Sequence, residues 1–162
     1  MTIDIYIIKL YNVIKINKQG ENEMTTTYQT IKEIASEIRN ELKKEFPEYK
    51  FSVTKDVHSI TVSLMEAPES PFSKMTQWGS YDGKDYEFDG EYAQLNHYHL
   101  AERCNGYYLT KSAVKLLEKV VKISNKKNWD RSDLMTDYFD VNYYFNLQIG
   151  KWNKPFKVNP AN

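Results

Sequence analysis

Apolar and polar positions alternate most strictly near the C-terminus. Phe139, Val141, Tyr143, Phe145, Leu147 and Ile149 occupy every odd position, and Asp140, Asn142, Tyr144, Asn146 and Gln148 lie between them. A period of two predicts a strand with one buried and one polar face. A different period holds upstream, where Ile31, Ile34, Ala35, Ile38 and Leu42 recur at helical spacing. Thr27 or Thr30 is placed to cap that helix, and Pro47 ends it. Two strands follow over 50–55 and 59–65, joined by a short turn at Asp56-Val-His58. The segment 66–73, rich in Pro and Ser, reads as a loop. Residues 78–91 are acidic and punctuated by glycine, and 92–99 fit either a third strand or a short helix. A second helix is predicted over 110–127, with Thr110 as its N-cap and Ala113, Leu116, Leu117, Val120 and Val121 on its buried stripe.

The predicted order is α-β-β-variable-α-β. Both kinds of apolar face are buried if two helices pack on one face of a mainly antiparallel sheet, so the fold class is α+β. A single domain over 24–156 fits the length of 162 residues, with 157–162 as a C-terminal tail. Residues 1–23 read in two ways. Ile3, Ile5 and Ile7 alternate as an edge strand would, whereas Gln19-Gly-Glu ahead of Met24 resembles a translated ribosome-binding site. On the second reading Met24 is the native start and 1–23 an upstream extension.

Charge narrows the function classes. Lys plus Arg and Asp plus Glu both number 22, giving zero net charge, so neither a protein that coats nucleic acid by bulk charge nor an acidic DNA mimic is expected. Cys104 is the only cysteine, which points to a reducing cytoplasm rather than a disulfide framework. No run approaches the roughly 18 apolar residues of a membrane span. Thirteen tyrosines offer contact area to a partner.

Several groupings carry candidate chemistry. Lys111, Lys115, Lys119, Lys122 and Lys126 fall on one side of the second helix, as a phosphate track or a solvated face. Glu33, Glu37, Glu41 and Glu45 form a row on the first helix, and the two rows face one another if the helices lie side by side. The stretch Asp85-Tyr-Glu-Phe-Asp-Gly90 resembles a calcium loop, but Asn96 at its twelfth position lacks the bidentate carboxylate. His58, His97, His99 and Cys104 match no zinc spacing. Asp130, Asp133, Asp137 and Asp140 are dense enough to hold a nuclease's magnesium, although turn aspartates explain them as well. No glycine-rich phosphate loop or Ser-His-Asp set is present, and no metal, cofactor or catalytic residue is assigned.

The residues Met135-Thr-Asp-Tyr-Phe-Asp140, Asn142, Tyr143-Tyr-Phe and Ile149-Gly-Lys-Trp-Asn-Lys-Pro-Phe156 form a signature, with Phe51-Ser-Val, Ser63 and Leu109-Thr110 fitting more loosely. Over about Tyr28 to Phe156 the chain resembles the large polyvalent-protein-associated domains, the twenty-ninth of that series. The resemblance implies a small α+β module carried by phages, plasmids and conjugative elements, and it transfers no catalytic residue. A Tyr-rich module of that origin is expected to be a non-enzymatic binder. The expected partner is a host defence protein, such as a CRISPR–Cas effector or restriction enzyme, which it inhibits. The candidate surface is the even row of the last strand, Asp140, Asn142, Tyr144, Asn146 and Gln148, with Trp152 beyond it. The alternative is a nucleic-acid-binding accessory factor using the lysine row; a metal-dependent nuclease is the third reading.

Overall fold

A computed structural model describes residues 29–78, 85–87, 90–102, 107–133, 135–136 and 138–160. The first helix, α1 (Ile31–Glu45), starts at Thr30, whose hydroxyl accepts the Glu33 N–H while its own N–H donates to the Glu33 carboxylate at 2.7 Å. This reciprocal cap satisfies two backbone donors of the first turn and holds Glu33 below the usual carboxylate pKa, chiefly through the Thr30 backbone bond. Ile34, Ala35, Ile38 and Leu42 form its buried stripe, as their spacing predicted.

The hairpin β1 (Lys50–Lys55) and β2 (Ser59–Ala67) comes next, then β3 (Phe72–Trp78), β4 (Asp85–Glu87), β5 (Ala93–Leu95) and β6 (Tyr107–Leu109). The second helix, α2 (Lys111–Ser124), is capped by the Thr110 hydroxyl, which accepts the Ala113 N–H at 3.1 Å. Strands β7 (Tyr144–Ile149) and β8 (Lys157–Val158) complete the chain.

The main sheet runs β1-β2-β7-β5. The pair β1/β2 is antiparallel, β2/β7 parallel and β7/β5 antiparallel. Strand β8 lies beside β2 just beyond the end of β7. A three-stranded antiparallel sheet, β4-β3-β6, is separate in its hydrogen bonding, and its Phe72 joins the same core as the main sheet. The fold is therefore α+β, and most strand pairs are antiparallel. Val53, Ile60, Val62, Leu64, Phe145, Leu147 and Ile149 join the apolar stripes of both helices in one core. Each such side chain contributes roughly 1.5–3 kcal/mol by leaving water.

Three expectations are corrected. Part of the predicted 66–73 loop is strand, because β2 runs to Ala67 and β3 starts at Phe72. The last strand does not start at Phe139. Phe139 is 67% exposed, and regular pairing begins only at Tyr144. Residues 157–158, read as tail, pair with Glu66 and Ala67, and the Asn159 N–H donates to the Ala67 carbonyl at 2.8 Å. Of the two readings for 92–99, a strand is formed. Residues 1–28, including Met24 and Thr27, lie outside the described residues.

The exit from β7 depends on Gly150, whose φ of +65° is left-handed. Its N–H donates to the Leu64 carbonyl at 2.8 Å, and beside it the Phe156 N–H donates to the Glu91 carbonyl at 2.8 Å. A Cβ here would sit 2.1 Å from the Glu91 oxygen and 2.8 Å from the Phe156 nitrogen. Gly150→Ala must strain φ and break that backbone bond, so it should lower unfolding stability by roughly 2–4 kcal/mol in urea titration.

Just before β7, Tyr143 is 1% exposed, and its hydroxyl donates to the Ser124 carbonyl at the end of α2. Burial pushes its pKa up to about 12 from 10. The unfolded chain loses this proton near pH 10 and the folded one only near 12. Stability is thus complete below pH 10 and falls as pH rises through that window, by up to about 3 kcal/mol from this group. Tyr143→Phe should cost about 1–3 kcal/mol at neutral pH. Its urea midpoint should also fall less steeply than the parent's between pH 10 and 12.

Candidate interaction surface

Between α2 and β7 the chain makes a hairpin, whose second arm from Phe139 the alternation had assigned to a strand. Its rungs are the bridges Asp130–Val141 and Asp133–Tyr138. The Arg131 N–H donates to the Asp140 carbonyl and the Asp133 N–H to the Tyr138 carbonyl, both at 2.8 Å. Two aspartates build its bends, since Asp130 Oδ1 accepts the Ser132 N–H and Asp133 Oδ1 the Met135 N–H, each at 2.9 Å. Such Asx bonds replace the backbone partner that a strand would supply. The Ser132 bonds also hold the Asp130 carboxyl below its ordinary pKa. At the base the Asn142 amide donates to the Lys127 carbonyl at 2.6 Å, and the Tyr143 N–H donates to Asn128 Oδ1 at 3.2 Å.

This framework holds apolar side chains in water. Met135 is 92% exposed, Phe139 67% and Tyr138 58%. Tyr144 is exposed at the start of β7, where its N–H donates to the His58 carbonyl, and exposed Val57 lies in the same β1–β2 turn. Exposed Tyr98 stacks on His97, whose ring packs edge-on against Phe145 at 5.1 Å. Val57, Tyr144 and Tyr98 thus lie at the end of the sheet where β7 begins, and the hairpin that carries Met135, Tyr138 and Phe139 leads into β7 at that same end. Sequence reading missed Met135, Tyr138, Phe139, Val57 and Tyr98 as surface residues. The usable signal lay in Asp130-Arg-Ser132 and Asp133-Leu-Met135, spaced as Asx turns that interrupt a strand.

The expected even row is divided. Asp140 and Asn142 belong to the hairpin stem, not to the strand. Asn146 and Gln148 are half-buried on the sheet, and the Gln148 amide donates to the buried Ser63 hydroxyl at 2.8 Å. Trp152 is 89% exposed but lies past the far end of β7, edge-on to Tyr92 at 6.3 Å. Six strand residues span roughly 17 Å, so Tyr144 and Trp152 sit on opposite ends. The row does not form one patch.

Residues 29–153 match the family described as large polyvalent protein associated domain 29. The chain belongs to that family. No curated protein and no solved structure matches it. The family region takes in both helices, the main sheet up to β7, the hairpin and Trp152, and ends before β8. Membership associates the protein with phages and other mobile elements. Among the described residues no helix is long and apolar enough to cross a membrane.

Within the family region the helices run side by side, but among the described residues the glutamate row meets lysines only just past the C-terminal end of α2. Glu37 pairs with Lys127 at 2.6 Å and Glu41 with Lys126. Lys111, Lys115, Lys119 and Lys122 are exposed and form no ion pair with a described residue. They follow one side of α2 at intervals of roughly 5–6 Å.

Among the described residues no three His, Cys, Asp or Glu side chains gather as a metal would require. His99 bonds Glu102 at 2.9 Å, half-buried His97 is held below its ordinary pKa by burial, and His58 is exposed. Cys104, Asp137 and the side chains of the Asp85–Asp89 loop lie outside the described residues.

Exposure and burial predict opposite responses to truncation. Met135→Ser, Phe139→Ser and Trp152→Ser should each change stability by no more than about 0.5 kcal/mol. Leu147→Ala, at 1% exposure, should cost roughly 2–5 kcal/mol. Thermal melts of the four variants check this contrast.

Proposed function

We propose that the protein is a non-enzymatic accessory factor of a phage or plasmid that binds a host defence protein and inhibits it, as anti-CRISPR and anti-restriction proteins do. The observation that carries this reading is the hairpin, whose own hydrogen bonds keep Met135, Tyr138 and Phe139 in water. Side chains of this kind anchor protein interfaces, because aromatic rings bury large area at low entropic cost and Met adapts its shape to the partner. Exposed apolar groups at one end of a rigid sheet also form a pre-organised contact.

Charge narrows the partner's chemistry. Asp130 and Asp133 are exposed on the hairpin, and Asp140 stands partly exposed at its stem. Arg131, exposed between the first two, lies over the Trp129 ring, so carboxylates still outnumber cations on the hairpin, and its apolar tip complements an apolar hollow with a basic border. A defence nuclease has such a border in the groove that holds its nucleic acid. Occupying that groove would inhibit by exclusion, without chemistry on either protein. The cytoplasm of the bacterial host belongs to the same proposal.

A second reading is nucleic-acid binding through Lys111, Lys115, Lys119 and Lys122, favoured by their lack of ion pairs among the described residues. Affinity-tagged protein incubated with lysate from a host carrying CRISPR–Cas and restriction systems separates the two. The expected result is recovery of one defence nuclease, with binding reduced roughly 30-fold or more by Met135→Ser with Phe139→Ser. Retention of the nuclease by that double variant would remove the hairpin from the interface. A salt-sensitive DNA gel shift, lost on Lys115→Glu, Lys119→Glu and Lys122→Glu, would favour the second reading instead.

A further inference from the structure

Away from the hairpin, strand register gathers positive charge around a cleft. Glu66 of β2 lies between Lys50 of β1 on one side and Lys157 of β8 on the other. Lys50 reaches the Glu66 carboxylate at 2.8 Å. Lys157 and Lys154 act on the same carboxylate through space, and together the three ammonium groups hold its pKa down, the Lys50 hydrogen bond contributing most. Arg39 enters from α1, its guanidinium donating to the Val53 carbonyl on the edge strand at 2.8 Å.

These groups line two adjoining hollows of about 440 and 470 Å³ that share Arg39, Lys50, Phe51 and Glu66. Lys43 and Glu48 line one hollow and offset each other. Arg39, Lys50, Lys154 and Lys157 therefore face a single carboxylate, in a chain whose net charge is zero. Such an excess in a concave site attracts an anion, since low-dielectric walls focus the field. The volume is that of small-molecule sites.

The cleft also has an apolar element. The half-buried ring of Phe51 lines both hollows. Tyr49 stands beside it with ring centres 6.4 Å apart and planes at 30°. Phe46 lies behind, buried, at 6.0 Å from Phe51. A cationic cluster next to an aromatic surface fits a ligand that joins phosphate to a planar ring.

We propose that this cleft binds a nucleotide, with the phosphate on Lys50, Lys154 and Lys157 and the base against Phe51 and Tyr49. The nucleotide is either free or the phosphorylated end of a strand, because the recognising chemistry is the same. The site is separate from the hairpin surface and stands or falls independently of it. It is also separate from the lysine row of α2.

Isothermal titration at low salt tests it with ATP, inorganic triphosphate and a short 5′-phosphorylated single strand. Binding of ATP or of the phosphorylated strand tighter than about 1 mM is expected. Triphosphate should bind at least several-fold more weakly than ATP. Lys154→Glu with Lys157→Glu should weaken binding about tenfold or more. Glu66→Gln should strengthen it, since the competing carboxylate is gone. Charge reversal at Lys55, exposed at the other end of β1 and outside both hollows, should leave it unchanged. Response to the strand but not to ATP, with the same dependence on Lys154 and Lys157, assigns the site to strand ends. No heat from either, equal binding of triphosphate and ATP, or weaker binding in Glu66→Gln would overturn the proposal.

Discussion

Strands β2 and β7 pair in parallel over six positions, from Ser59–Tyr144 to Leu64–Ile149. Parallel neighbours cannot be joined by a tight turn, so the chain must travel from one end of the sheet back to the other between them. That journey contains the second sheet, β5 and α2. It returns through the 129–142 hairpin at the end where β7 begins. Leu64, Leu147 and Ile149 are almost completely buried at this seam, so the pairing is held by the core as well as by backbone bonds. The hairpin stem is tied to the segment leaving α2 through Asn128 and Lys127. Its exposed tip is therefore mounted beside the buried Tyr143, which leads into the seam.

The seam sets the other end of the sheet as well. Once β7 has run its length, the chain turns at Gly150, crosses close to the Glu91 carbonyl and resumes the same direction as β8 beside β2. That path brings Lys157 opposite Glu66, with Lys154 close by. The signature residues from Ile149 to Phe156 thus have a structural reason. Gly150 avoids a backbone collision, and Phe156 is buried at 8% exposure. The exposed Trp152 has no comparable packing duty.

Neutral overall charge conceals segregation. The hairpin carries aspartates and Arg131 around apolar side chains, α2 carries exposed lysines with no ion pair to a described residue, and the β1 edge gathers cations around one carboxylate. Charges placed in this way bias which partners each surface accepts more than they stabilise the fold, because exposed pairs are worth only ~0–1 kcal/mol.

Both helices, their buried stripes and the β1–β2 hairpin were legible in the sequence, since local periodicity and caps such as Thr30 and Thr110 act within a few residues. The α+β class followed from the order of those elements, and the family from the signature. The alternation from Phe139 to Ile149 was only half a strand, because Asx bonds at Asp130 and Asp133 compete locally with sheet pairing. Periodicity reports which side chains can share a face, not whether a sheet is there to cover it. Tertiary structure alone decided that β7 lies parallel beside β2, that Phe139 faces water while Tyr143 is buried, and that Arg39, Lys50, Lys154 and Lys157 share a cleft. These depend on segments distant in the chain, brought together by the energetics of one common core.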